Sequence, residues 1–431
     1  MIECHLLRSV SIGYPASMCN LRYLFRDSII IDNKFVIKLM VDKKTILDGI
    51  SLLCLFFAAV FSLDDAMNTY ALYGALPIAM LCCFVSNNPI KNNRYIKLLI
   101  FLYIWVAVCY PFAYYPDLAN REMKQILGCF ILCFTVASLA SKPVNITPLY
   151  LVYCLLLLFA WNYAHDNIMK DAILGTDRLN DENLNANTLA YYTFFVTISI
   201  YALGEYAPQK LRFIFRILFW ATIVLSFITA IYTASRQVLL IQVPLYVCLI
   251  FHRYFIGNRT HRFFPILIVV VSCLFLYSLY TDYGETIFND SLLKKRSEIE
   301  FKDDVRYTII KESLELFKSE PALGYGPGNS SQFISTGHFT HNTFLELMVN
   351  CGLVGFLIYL YMVLSFIWTQ YKRWRKAKDK SYLFFAIFGV FWFVDQFFYV
   401  FYTHLWLISF FILVATHSEV YYSRSYKREL L

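Results

Sequence analysis

Three residues of this chain have the chemistry to act on a charged substrate. They are Arg236 in TASRQVLL, Arg306 in DDVRYTIIKESLELF and His341 in FTHNTFLEL. Arginine stays charged and offers two-pronged contacts to phosphate oxygens. Histidine has an ordinary pKa near neutrality and can take the proton from an attacking hydroxyl. At one surface, two arginines and a histidine suit a lipid pyrophosphate, because arginines can hold the charge of the leaving group without a metal. The matching reaction is glycosyl transfer from a lipid-pyrophosphate sugar to a hydroxyl acceptor. Each residue also has a plainer reading. Arg236 could pair with a carboxylate, Arg306 could snorkel to water, and His341 could be an anion ligand or simple interfacial decoration. No D-x-D-type pair stands in the polar loops to hold a metal, and Asp303 and Asp304 read as the start of a helix. No metal or other cofactor is expected.

The elements that must position these residues can be read locally. At about 100° per residue, Val305, Ile309, Ile310, Leu314, Leu316 and Phe317 fall on one half of a helix. Lys311, Glu312, Glu315 and Lys318 fall on the other. Arg306 lands inside the apolar half, where an unpartnered guanidinium is costly, so it either snorkels or faces an anion. Pro321, Gly324, Gly326 and Gly328 predict a turn. Thr343 followed by Glu346 fits a capping box, which predicts a helix from Thr343 to about Trp368. His341 then sits just outside the cap, by a helix N-terminus that favours phosphate.

The wider chain is a membrane protein by composition. Of 431 residues, 59% are hydrophobic and 16% charged, which excludes an ordinary soluble domain. Continuous apolar runs near span length predict an all-α protein with about twelve membrane helices. They lie at roughly 46–63, 69–86, 96–115, 125–141, 147–163, 187–204, 213–232, 237–255, 263–281, 343–369, 381–400 and 402–417. Residues 1–39 form a separate segment, either untranslated or cytoplasmic, with Met1 and Met40 as the two candidate starts. Residues 40–281 hold the first nine spans, 282–342 an outer loop with amphipathic helices, 343–417 the last three spans, and 418–431 a tail. The net charge of +8 reads as orientation by basic loops, not nucleic-acid binding. Lys372, Arg373, Arg375, Lys376, Lys378 and Lys380 form the strongest basic cluster, and the positive-inside rule puts them and both termini in the cytoplasm. Arg236, Arg306 and His341 then share the outer side. Asp395 and Gln396 lie at the outer end of a span, where an ionisable group is either functional or a partner for an arginine. The 12 cysteines show no metal spacing and read as packing residues.

The chain resembles the O-antigen ligase/polymerase family of bacterial membrane glycosyltransferases. The matching pieces are Asn185–Ala186–Asn187, Ser235–Arg236, Arg306 followed by EPALGYGPG, and His341–Asn342 with Leu345, Glu346, Leu347, Gly352 and Gly355. The family usually has Asn-Pro-Asn where this chain has Asn185–Ala186–Asn187. The resemblance implies a GT-C-like helical enzyme of the bacterial inner membrane, multi-pass, with its site facing the periplasm. It implies an undecaprenyl-pyrophosphate-linked glycan donor and metal-independent transfer, usually inverting. By that analogy His341 activates the acceptor hydroxyl, and Arg236 and Arg306 hold the donor pyrophosphate. Arg178, Asn187, Tyr325 and Asn342 are further substrate-binding candidates. The acceptor is another lipid-linked repeat unit in a polymerase, towards which the H-N-T-x-L-E-L pattern leans, or lipid A-core in a ligase. Membrane lipid and a chain-length regulator are the other implied partners, and nucleic acid is not one. A lipid-linked sugar flippase or exporter is the alternative from another class. It predicts matched halves of the chain, and no convincing internal repeat is visible.

Overall fold

In the computed structural model, residues 43–61, 65–86, 93–171, 186–233, 238–254 and 305–429 are described. Among them the structure is all helical, with no strand. The helices are α1 (Lys43–Val60), α2 (Met67–Ser86), α3 (Arg94–Cys109), α4 (Pro116–Ala140), α5 (Pro143–Asp171) and α6 (Ala186–Tyr206). They continue as α7 (Gln209–Thr233), α8 (Val243–Tyr254), α9 (Val305–Ser319), α10 (Ser330–Phe333), α11 (Thr343–Ala377), α12 (Lys380–Asp395) and α13 (Leu405–Glu429).

Seven of the described helices are long and apolar enough to cross a membrane: α2, α3, α4, the first part of α5, α7, α11 and most of α13. In their described residues the expected spans 46–63, 187–204, 237–255 and 381–400 coincide largely with α1, α6, α8 and α12, which do not join that set. The expected span 263–281 lies outside the described residues, as do residues 1–42. Seven, not twelve, is therefore the count that the described residues carry. α13 continues helically through residue 418, where the tail is expected to begin, to Glu429.

α1 packs on α2, α5 on α6, α6 on α7 and α11 on α12, and α13 docks on α4. Of the seven, α13 is the most enclosed and α7 the least. Trp392, Phe401, Phe410 and Phe411 form the aromatic centre around α13, whereas α7 turns Phe213, Ile214, Ile217 and Val224 outward. An apolar outward face is what lipid, rather than water, demands.

α11 organises the end of the bundle that holds the candidate residues. It is 35 residues long, about 50 Å at 1.5 Å per residue, and breaks at Gly352 (φ 66°). The break frees carbonyls that a straight helix would use. Tyr325 N donates to Val349 O (2.8 Å), Gly326 N to Asn350 O (3.0 Å), and Trp105 Nε1 to Cys351 O (2.8 Å). In return Leu353 N donates to Pro321 O (2.9 Å). A Cβ on Gly352 would lie 2.1 Å from Ala322 O, one on Gly324 2.4 Å from Val349 O, and one on Gly326 2.4 Å from Ala113 Cα on the α3–α4 link. The glycines of the turn and of the helix are thus two sides of one contact. They let backbone meet backbone in left-handed conformations that other residues adopt only at a cost. Tyr325 belongs to this joint: its ring packs on Phe333 (4.4 Å between centroids), and its hydroxyl lies 2.6 Å from Ser319 Oγ.

Candidate active site

α11 begins at Thr343, as predicted, but its cap is Asn342. The Asn342 side chain accepts from Phe344 N (2.9 Å) and Leu345 N (3.2 Å), which is the N-cap geometry. This corrects the capping box expected at Thr343 and Glu346, because Thr343 is already helical and Glu346 lies a residue too far along. Thr343 instead faces the link between α12 and α13. Its N donates to Gln396 O (2.9 Å) and its hydroxyl to Tyr399 O (2.8 Å), while Phe401 N donates to that hydroxyl (3.0 Å). Gln396 braces the same joint by accepting from Tyr359 Oη (2.7 Å), and Asp395 is buried beside it.

Glu346 reaches back over the turn that carries the histidine. Its Oε2 accepts from Thr340 N (2.9 Å), and its Oε1 from Ser330 Oγ (2.5 Å) and Asn350 Nδ2 (2.8 Å). A buried carboxylate is tolerated when donors replace its water, and here it gathers three. Thr340 Oγ1 also donates to Asn342 O (2.8 Å). Between these fixed points His341 has φ 52°, which costs a non-glycine residue roughly 1–2 kcal/mol. Such strain persists where the surroundings over-determine the conformation. The His341 ring packs on Phe339 with 4.2 Å between centroids.

A cleft of about 440 Å³ opens beside this turn. α4 contributes Arg121, Glu122 and Gln125, and the facing side includes Ser331, His338 and His404. Tyr402 Oη donates to Glu122 Oε1 (3.0 Å). His404 stands one residue before α13. Burial favours its neutral form and pushes its pKa down to about 4, and its Nδ1 has no hydrogen-bond partner among the described residues.

Arg306 is half-buried in the first turn of α9, and α9 packs on α11. The inward stripe of α9 runs through Arg306, Ile310, Ser313 and Phe317, with Ile309 beside it. This corrects the expected apolar half: Val305 and Leu314 are 52% and 40% exposed. Ser313 can be buried because its hydroxyl donates to Ile309 O (2.6 Å). Glu312 ties α9 to the histidine loop by accepting from Ser335 N (2.8 Å) and Ser335 Oγ (2.6 Å). Arg306 and His341 are therefore on linked elements at one end of the bundle. Asn342 is there as the cap, and Tyr325 as part of the glycine joint. Asn187 lies in the first turn of α6. Arg178 and Arg236 lie outside the described residues.

Sequence reasoning missed Glu122, Glu346 as the brace of the turn, and His404. A glutamate two turns into an apolar helix, and a histidine in the aromatic run FFYVFYTHLW, were the available signals.

Among the described residues the chain combines an all-helical fold and membrane-type helices with this polar end. Residues 221–360 match the family described as O-Antigen ligase. This match is consistent with the O-antigen ligase/polymerase family. The matched segment contains Arg236, Arg306, the glycine turn, His341 and the Gly352 break, whereas α4 and the α12–α13 link lie outside it. Among curated proteins, nothing matches the chain.

Proposed function

We propose that the chain is an O-antigen polymerase, transferring glycan from an undecaprenyl-pyrophosphate carrier to a hydroxyl of a second lipid-linked repeat unit. The observation that carries this reading is His341, held in a left-handed turn at the start of α11 with a polar cleft beside it. His341 takes the proton of the acceptor hydroxyl. The hydroxyl oxygen bonds to the anomeric carbon, and the bond from that carbon to the pyrophosphate oxygen breaks. The pyrophosphate leaves with the electron pair, held by Arg306 and Arg236 instead of a metal. The site end faces the periplasm, a reading supported by the basic cluster from Lys372 to Lys380 at the far end of α11. The description of the matched family favours a second reading, ligation of the glycan to lipid A-core.

The test is the glycan gel profile of a deletion strain complemented with the wild type, His341→Ala or Arg306→Ala. Loss of one acid–base or phosphate-holding group should lower transfer at least about 100-fold. A ladder that collapses to a single repeat on the core supports polymerisation. Loss of every repeat, with lipid-linked polymer accumulating, supports ligation. An unchanged ladder at normal protein levels removes His341 and Arg306 from the chemistry and returns the exporter reading to the front.

A further inference from the structure

The cleft beside His341 differs in character from a phosphate site. Two carboxyl groups are placed at it, Glu122 and Glu346, against one guanidinium, Arg121. Neither carboxyl group makes an ion pair among the described residues. Glu122 accepts from a tyrosine hydroxyl, and Glu346 from a hydroxyl, an amide and a backbone N–H. A pyrophosphate needs several cations, and this wall offers one guanidinium against two carboxyl groups, so charge does not favour its entry. A sugar needs what is present. Its hydroxyls can donate to a carboxyl oxygen and an amide oxygen, and accept from an amide N–H or a guanidinium. Phe339 and Tyr399 add aromatic surface. His404 adds a buried ring nitrogen that meets no hydrogen-bond partner among the described residues. The volume of about 440 Å³ falls within the roughly 300–1,000 Å³ of small-molecule sites.

We infer that this cleft is the sugar subsite of the acceptor. It takes an uncharged part of the glycan, with Glu122, Gln125 and His404 as its hydrogen-bonding residues, and excludes the pyrophosphate. The inference rests on the glycosyl-transfer reading and divides the site in two. Phosphate is held from the side of α9, and sugar from the side of α4 and the α12–α13 link. The acceptor hydroxyl is thereby presented next to His341.

The experiment uses the full chain in nanodiscs of phosphatidylethanolamine and phosphatidylglycerol. The probe is the repeat-unit oligosaccharide freed by mild acid from the lipid-linked material of a strain lacking this protein. Saturation-transfer NMR reads its binding to the wild type, Gln125→Trp and Glu122→Gln, each with and without sodium pyrophosphate. Gln125 is exposed in the cleft, so a tryptophan there fills space without entering the core. The wild type should bind the oligosaccharide. Gln125→Trp should weaken binding at least tenfold and Glu122→Gln severalfold, and equimolar pyrophosphate should leave the signal unchanged. Should Gln125→Trp fail to stay monodisperse, Glu122→Gln decides alone. No binding by the wild type, equal binding by the monodisperse variants, or displacement by pyrophosphate overturns the assignment. Failure of the glycosyl-transfer reading shows separately, as an unchanged gel ladder for His341→Ala while the oligosaccharide still binds.

Discussion

The two ends of the bundle solve the same problem in opposite ways. At the basic end, each carboxylate in a described ion pair sits beside a cation. Asp48 meets Lys142 (2.7 Å), Glu419 meets Arg373 (2.8 Å), and Glu205 gathers Arg253 (3.0 Å), Lys380 (3.1 Å) and Arg216 (3.9 Å). At the site end, Glu122 and Glu346 accept from hydroxyls, an amide and a backbone N–H. Salt bridges at the basic end fix helices to one another: Glu205 joins α6, α7, α8 and the start of α12. Neutral donors at the site end fix a turn and leave the acceptor character of the carboxyl groups in place. The difference separates a structural clamp from a surface prepared for a polar ligand.

The largest expected effect tests the clamp. Arg253 and Glu205 have side chains only 4% and 9% exposed, and Arg253 also stacks on Tyr201 (4.2 Å to the ring centroid). Glu205→Ala leaves a buried guanidinium without its carboxylate, which costs about 3–5 kcal/mol. Thermal melting in detergent should show a large drop, with the glycan ladder lost only in proportion to the protein lost. A variant that melts like the wild type would mean that the basic end is not held by its ion pairs, and the contrast between the ends would fail.

A smaller effect, on rate and not on stability, is expected at the site end. Glu346→Gln keeps one oxygen for Ser330 and Asn350 but turns an N–H₂ towards the N–H of Thr340. Losing one charge-assisted bond is worth about 1.5–3 kcal/mol. Here the loss should appear as a roughly 10- to 100-fold fall in transfer, because Thr340 is the anchor of the turn that holds His341. In assays of purified protein, kcat should fall while KM for the lipid-linked donor stays near the wild-type value. Glu346→Asp, which is still an acceptor, should recover part of the rate. A melting temperature that drops as far as in Glu205→Ala, with kcat per folded molecule unchanged, would make Glu346 another clamp.

Much of this architecture was legible in the sequence, because helices, turns and helix starts are local. The apolar runs gave the helices, Thr343 the start of α11, and the spaced glycines a tight turn. What those glycines meet was not legible: nothing local says that Gly326 will approach Ala113 or that Gly352 will approach Ala322. The inward face of α9 departs from its apolar periodicity for a related reason. Periodicity marks an apolar side, but Val305 and Leu314 turn away from the protein, and an apolar residue near a membrane need not face the core. Glu122 carries no local signal because its partner, Tyr402, is 280 residues away, and only the packing of α4 on α13 brings them together. The candidate site was legible as chemistry in Arg306 and His341, while the cleft beside them arises from contacts between distant segments.

The smallest expected effect concerns the neutral character of the site end. His404 contacts the rings of Tyr192 and Tyr399 and shares the cleft with Glu122 and Arg121. Burial lowers its pKa from the ordinary 6.5 to about 4. The folded protein therefore holds His404 neutral in a range where the unfolded chain has it protonated. The unfolded state binds more protons there, so stability rises with pH. The contribution is fully present above about pH 6.5, declines as pH falls towards 4, and changes no further below that. Between pH 7 and pH 4.5 the wild type should lose a few degrees more in Tm than His404→Gln, which cannot titrate. The salt-bridged carboxylates of the basic end weaken in both proteins alike, so the difference between the two melting curves isolates the site end. Parallel curves would mean that His404 ionises freely and that the cleft is open to water. In that case its imidazole would carry charge at acid pH, and the separation of a sugar side from a phosphate side would weaken as the pH falls.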